Sequence, residues 1–328
     1  MNKKERVEAA LRGDSVDRVP STVWGHDYAR EGNVQAQAEA LIEDYTRYDW
    51  DFVKVTPRAS YHVEGWKVKV RPADEKNKAL IIEDTPIKSS SDWKRLRPLE
   101  PERPALNEQL RALQLINHGV GFEAYFVQTI FCPLGVAKYL VGNNSERVLQ
   151  TMREDRKALH SALRVITETF TTFAIACLEE GASGIFYSTC GWASQTMLTR
   201  DQYREFGEQY DLEFLDAIKS RSKCNILYHS GERLHFDLFA HYPVHAVSWD
   251  STRIGNPDLH EGERRIGKAV MGGLSAQTLK DGPSERIYEE IHKILELTGG
   301  QHLLLAPNSA LLPETPARHL SAIRRVLS

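Results

Sequence analysis

Short apolar runs punctuate this chain, and between them apolar positions recur at three- and four-residue spacing. The first pattern is that of buried strands, the second that of amphipathic helices packed on them. Strands are expected at residues 19–24, 51–56, 123–131, 184–188, 225–229, 244–249, 269–273 and 303–306. Helices are expected over 1–14, 35–48, 90–96, 105–117, 134–141, 145–180, 200–219, 234–241, 284–298 and 316–327. In 35–48 the stripe is Ala38, Leu41, Ile42 and Tyr45. In 284–298 it is Glu290-Ile291 and Ile294-Leu295, with Ser284 and Glu285 suiting the helix start. Residues 65–83 break the rhythm. They alternate as WKVKV and ALIIED across a charged turn at 74–77, which reads as a β-hairpin insertion.

Strands separated by helices throughout a chain of 328 residues match a closed (β/α)8 barrel, the TIM barrel. A doubly wound open sheet is the alternative. Neither GxGxxG nor GxxxxGK[ST] occurs, so a nucleotide-binding version of that sheet has little support. No Pro/Ser-rich linker divides the chain, and residues 1–328 read as one domain.

A barrel of this kind presents its chemistry just past the C-terminal ends of its strands. Those positions hold Trp24 and His26, Lys54 and Thr56, Gln128 and Thr129, Ser188 and Thr189, His229 and Ser230, Asp250, Gly272 and Gly273, and Asn308 and Ser309. Tyr139 sits on the helix after the third of these loops. His26 and His229 are the candidate proton carriers, with Tyr139 beside them and Asp250 to orient one imidazole. Lys54 and Arg30 are candidate anchors for an anion, and Trp24, Ser188, Asn308 and Ser309 candidate substrate contacts. Lys54 interrupts an apolar strand and shares its parity with Phe52 and Thr56, which favours an inward direction. His229, with Glu232 and His235 in YHSGERLH, is the one metal candidate. The spacing suits no single helical face and no thiolate is near, so no cofactor is expected.

Composition narrows the partners. The 42 Lys and Arg against 45 Asp and Glu give a net charge of −3, with no electrostatic footprint for nucleic acid and no polybasic membrane signal. No apolar run approaches the roughly 20 residues that span a bilayer. The N-terminal stretch lacks the apolar core of a signal peptide. Cys132, Cys177, Cys190 and Cys224 are scattered and read as reduced thiols of a cytoplasmic protein.

Five segments, in order, carry a family resemblance: KKERVEAALRGDSVDRVP, PLGVAKYLVGNN, EEGASGIFYSTCGWAS, VMGGLSAQTL and LLLAPNSALLPETP. Together they resemble the uroporphyrinogen decarboxylase superfamily, which also contains corrinoid- or coenzyme-M-linked methyltransferases. The resemblance implies a (β/α)8 barrel with its cleft at the strand C-termini, and commonly a homodimer. In the decarboxylases an RQAGR motif follows the first strand and its arginines hold the substrate's carboxylates. Here that stretch reads WGHDYAR, with Asp27 at the first arginine position and Arg30 about one place out of register. The family's catalytic aspartate falls at Thr56 and its C-terminal histidine at Ser309, while its tyrosine and serine are matched by Tyr139 and Ser188. The methyltransferases' zinc motif, HxC…C, is met by His229-Ser230-Gly231 and by Ser309.

The resemblance, with these substitutions, implies acid–base chemistry of the lyase type on a small anionic organic or tetrapyrrole-like substrate. Methyl transfer from a corrinoid protein or a folate without the zinc dithiolate, and a non-catalytic binding protein, are the alternatives.

Overall fold

The computed structural model describes residues 1–75 and 77–327. Seven parallel strands form one curled sheet: β1 (Phe52–Val55), β4 (Tyr125–Phe131), β5 (Gly184–Ser188), β6 (Ile226–His229), β7 (Ala246–Trp249), β8 (Ala269–Leu274) and β9 (Leu303–Pro307), in that spatial order. The remaining two, β2 (Lys69–Arg71) and β3 (Ile81–Asp84), pair only with each other, as an antiparallel hairpin between β1 and β4 in the chain. The turn expected at 74–77 includes Lys76, which lies outside the described residues, as does Ser328.

The eighth stave is irregular. Residues 19–24, expected as a strand, make only isolated bridges, Ser21 with Leu305 and Gly25 with Leu311. They nonetheless join the two sheet edges. Thr22 N donates to Leu305 O at 3.1 Å on the β9 side. On the β1 side, Asp51 N donates to Ser21 O at 2.9 Å and Thr22 Oγ1 to Phe52 O at 2.7 Å. Pro20 lacks the N–H that a longer ladder would need. The result is a closed (β/α)8-type barrel.

Strand pairing sorts side chains into two cores, because successive residues of a strand face opposite sides. Phe52, Tyr125, Val127, Phe186, Ile226, Ala246, Ala269, Met271, Leu304 and Ala306 fill the barrel interior, together with Trp24. Val7 and Ala10 of the N-terminal helix Lys3–Arg12 join this inner cluster and so plug the barrel's base. The residues of opposite parity, among them Val53, Phe126, Tyr187, Leu227, Val247 and Leu305, pack outward against the helices.

The first helix is held by charge as well as burial. Asp51 is fully buried and accepts from Arg6 at 2.8 Å, from Arg18 at 2.5 Å and from Ser21 N at 2.9 Å. Arg6 also pairs with Asp17, whose carboxyl is held well below the usual range chiefly by that guanidinium. Arg6, Asp17 and Arg18 of the opening segment therefore serve the barrel's base.

Several expectations shift in detail. The stretch 145–180 is two helices, Ser145–Glu154 and Arg156–Glu179, with Asp155 capping the second through Ala158 N. Helix Arg156–Glu179 has 24 residues and by length and composition alone could cross a bilayer, although Arg164 and Glu168 interrupt its apolar residues. Half of its most apolar window is buried inside the fold. A helix unforeseen in the sequence, Leu259–Ile266, packs on β8, with Gly262 against Trp249 of β7. Its buried stripe is only Leu259, Gly262 and Ile266, too sparse to stand out among charged neighbours. Helix Ser284–Thr298 starts after Pro283 with no side-chain cap, and its buried stripe is Ile287, Ile291 and Ile294. Glu290 faces Ser275 N and Thr278 Oγ1 instead.

Candidate functional site

The C-terminal mouth of the barrel opens into a cavity of about 390 Å³. Its inner wall is Lys54, Thr129, Phe186, Ser188 and Tyr228, all on the inward parity, with Trp24 beside them. Its outer wall is His26, His62, Phe131, Lys138, Tyr139, Cys190, Ser230 and Ser309. Among the described residues this lining contains two lysines and no carboxylate, whereas the adjoining cavity that Trp24, His26, Lys54 and Thr56 also line holds Asp27, Asp44 and Glu314.

Lys54 reaches the interior as its parity predicts. It is 3% exposed, and its Nζ lies 4.3 Å from the Trp24 ring centre and 4.7 Å from that of Phe186. Its hydrogen bond is to Thr56 Oγ1 at 3.0 Å. Burial without a carboxylate partner disfavours the ammonium and brings its pKa down to about 7. The two ring faces act the other way, favouring the cation.

His26 sits where the 21–25 segment turns out of the barrel. Its Nδ1 lies 2.7 Å from Glu31 Oε2, and its ring stacks on Tyr28 with centres 5.1 Å apart. Glu31 is 6% exposed. A buried carboxylate on Nδ1 fixes the tautomer and leaves Nε2 as the reactive nitrogen. The carboxylate that orients a histidine is therefore Glu31. Asp250, expected in that role, instead binds Thr252 and Arg253 at the loop after β7.

Tyr139 is carried into the cavity by helix Pro133–Leu140, and burial raises its pKa, so its hydroxyl stays protonated. Ser188 ends β5, and its Oγ accepts from Cys190 N at 3.3 Å. The turn that follows carries Cys190 and Gly191 at φ 52° and 85°, and swings Cys190 to the mouth. His62 is a structural histidine. Its Nδ1 meets Ala59 O at 2.9 Å and its Nε2 accepts from Phe131 N at 3.0 Å. Burial lowers its pKa to about 3 and keeps it neutral.

Four expected site residues lie elsewhere. His229 follows the inward Tyr228 and so faces outward, fully buried, stacked on Phe239 at 3.5 Å with Nδ1 2.9 Å from Thr189 Oγ1. Desolvation holds its pKa well below the ordinary value. Arg30 is at the surface, paired with Asp27 and Glu43. Asn308 braces β8 through Gly273 N, which donates to its Oδ1 at 2.6 Å. Asp250 lies outside the cavity, as above. Trp24, His26, Lys54, Tyr139, Ser188 and Ser309 are brought together at the mouth.

Zinc does not fit these residues. His229 points into the helix layer, Gly231 offers no ligand, and His235 gives its Nε2 to Leu198 O at 2.9 Å. No group of three or more His, Cys, Asp or Glu able to hold a metal occurs among the described residues.

Sequence reading missed Glu31, Lys138, Cys190 and His62. Lys138 was one residue from Tyr139, and the parity rule applied to Lys54 would have turned His229 away from the site. Glu31 and His62 left no local signal, because their partners are set by tertiary contact.

A family model described as uroporphyrinogen decarboxylase (URO-D) matches residues 2–327. The chain is 26% identical over 247 residues to the uroporphyrinogen decarboxylase of Prochlorococcus marinus strain NATL2A, covering 73% of this chain and 68% of that protein. It is 25% identical over 340 residues to the same-named protein of Synechococcus sp. strain JA-2-3B'a(2-13), covering 95% and 93%. Among solved structures, a methyltransferase from Methanosarcina mazei superposes with TM-score 0.82 at 22% identity over 99% of this chain and 98% of that one. A B12-independent methionine synthase from Shewanella sp. W3-18-1 superposes with TM-score 0.58 at 12% identity, over 94% and 91%. At those identities the two structures speak to the fold.

Proposed function

The chain belongs to the uroporphyrinogen decarboxylase family, and we propose that its mouth cavity binds a small anionic organic molecule and performs lyase-type acid–base chemistry on it. The observation that supports this most is the lining: Lys54, Lys138 and His26 with no Asp or Glu among the described residues. Such a cavity favours anions, since each bound carboxylate supplies the counter-charge the walls lack.

In this reading Lys54 and Lys138 hold the anion, and Trp24, Phe186 and Phe131 enclose its apolar part. His26 moves a proton at Nε2, oriented through Nδ1 by Glu31. Tyr139 supplies a proton, and Ser188 and Ser309 place the substrate's oxygens. Arg30 and His229 have no part in it, because neither lines the cavity. The proposal includes a cytoplasmic homodimer, consistent with four free thiols.

Calorimetric titration with small di- and tricarboxylic acids tests it. The wild type binds such acids and not their neutral amides. Lys54→Met and Lys138→Gln each weaken binding roughly tenfold or more, the scale of one charge-assisted hydrogen bond. Equal affinity for acid and amide would count against the reading.

A further inference from the structure

Lys54 is built for more than ion pairing. An amine that serves only as an anion anchor is best kept charged, near a wet rim. Lys54 instead stands at the floor of the cavity, 3% exposed, between two aromatic faces. Its hydrogen bond to Thr56 Oγ1 at 3.0 Å aims it without supplying a negative charge. No carboxylate lines the cavity among the described residues. A desolvated lysine in an apolar pocket is the setting in which an amine becomes a nucleophile toward carbonyl carbon.

We infer that Lys54 is a covalent catalytic site: its amine condenses with the ketone of a 3-oxo carboxylic acid and the resulting iminium drives loss of the carboxylate as CO2. The inference rests on the anion-binding reading above and names the substrate class within it.

The chemistry balances without redox. Lys54 Nζ attacks the ketone carbon, forming a C–N bond while the carbonyl π pair goes to oxygen, and one proton passes from the nitrogen to that oxygen to give a neutral carbinolamine. The carbinolamine hydroxyl takes a second proton, which the final hydrolysis gives back, and leaves as water as the nitrogen lone pair forms the C=N bond, giving an iminium cation. The C–C bond to the carboxylate then breaks and its electron pair flows to the iminium nitrogen, releasing CO2 and leaving an enamine. Tyr139, held protonated by burial, or His26 returns a proton to the enamine carbon. Water then hydrolyses the imine to a ketone and restores the amine.

The surroundings fit each stage. A pKa brought down to about 7 leaves a substantial share of free amine at neutral pH. That share is roughly a thousandfold above that of an ordinary lysine. The iminium has a fixed positive charge, and the ring faces of Trp24 and Phe186 stabilise it where no carboxylate does. Lys138 is available to hold the substrate's carboxylate before it leaves. A cavity of about 390 Å³ accommodates a small oxo acid.

The full-length protein is incubated with acetoacetate or 3-oxoglutarate, reduced with borohydride and digested for peptide mass spectrometry. The expected result is a reduced adduct on the Lys54 peptide, with yield rising as pH increases through about 7. A decarboxylated adduct, an isopropyl group in the case of acetoacetate, shows CO2 loss preceding reduction. Lys54→Met abolishes the adduct, with the circular dichroism spectrum confirming its fold; the pH profile of the wild type needs no variant. No adduct with either acid, or adducts confined to Lys138 and surface lysines, overturns the inference. Calorimetry with glutarate, which lacks a ketone, separates the two readings. Glutarate binding without trapping of the oxo acids sinks the covalent step alone, whereas no binding and no trapping sink both.

Discussion

At the scale of single residues, burial decides what a titratable side chain is. Lys54, His62 and His229 are all desolvated, but their partners differ. His62 uses both nitrogens on backbone groups and is a brace. His229 is sealed against Phe239. Lys54 faces a cavity between two aromatic rings and hydrogen-bonds to the Thr56 hydroxyl. This has a consequence for stability. The folded pKa of Lys54, about 7, lies below the unfolded value of 10.5. Between these the unfolded chain binds the extra proton, so stability rises with pH across that window and is flat in this term below it. The slope approaches about 1.4 kcal/mol per pH unit. Urea denaturation of wild type and Lys54→Met at pH 7 and pH 9 should show the wild type gaining on the variant as pH rises. Equal gaps at the two pH values would mean that Lys54 stays charged in the fold. Parity made Lys54 legible in the sequence; its aromatic cage was not, since Phe186 lies on a distant strand.

At the scale of elements, the segment KKERVEAALRGDSVDRVP acquires a purpose. It supplies Arg6, Asp17 and Arg18, which with Asp51 fasten the N-terminal helix beneath the barrel. A segment that carried the family resemblance is thus structural. Asp51→Asn should destabilise the protein by about 3 kcal/mol, because it leaves Arg6 and Arg18 short of a buried counter-charge. Urea denaturation measures this, and a loss under about 0.5 kcal/mol would place the variant among ordinary surface changes. A second buried cluster has the same structural character. Tyr187, Tyr203 and Tyr242 all donate to Asp211, on 2.7, 2.7 and 3.0 Å bonds, and pin helix Gln209–Ile218 to the sheet. Burial raises the Asp211 pKa to about 6. Strand β5 was readable to its exact bounds from GIFYS, whereas the stave at 21–25 was not. Its closure depends on bonds to β9 and β1 rather than on its own pattern.

At the scale of the whole molecule, the hairpin of β2 and β3 stands outside the barrel sheet. Ala79, Leu80, Ile81 and Ile82 line a second cavity together with His26, Tyr28, Arg58 and Tyr139. The hairpin therefore roofs the side of the mouth where the His26–Glu31 pair sits. Its ends, Lys69 and Asp84, are paired, so a short glycine linker in place of residues 70–83 spans the gap. Such a variant should still unfold cooperatively, with its melting temperature within a few degrees of wild type. Its affinity for carboxylic acids should fall, as His26 and Tyr139 become exposed to water. Loss of cooperative unfolding would show instead that the hairpin is part of the core.

The alternation of strands and helices, the family and the inward direction of Lys54 were legible in the chain, because periodicity and strand parity are local properties. Which polar groups meet at the mouth was decided by closure of the barrel. Closure brings Lys54 between Trp24 and Phe186, sets His62 against a backbone amide 69 residues away, and turns His229 out into the helix layer. QHLLLAPNSALLPETP reflects both. Its apolar run reads as a strand and is one, but Ser309 faces a cavity of lysines and aromatic rings only because seven other staves surround it.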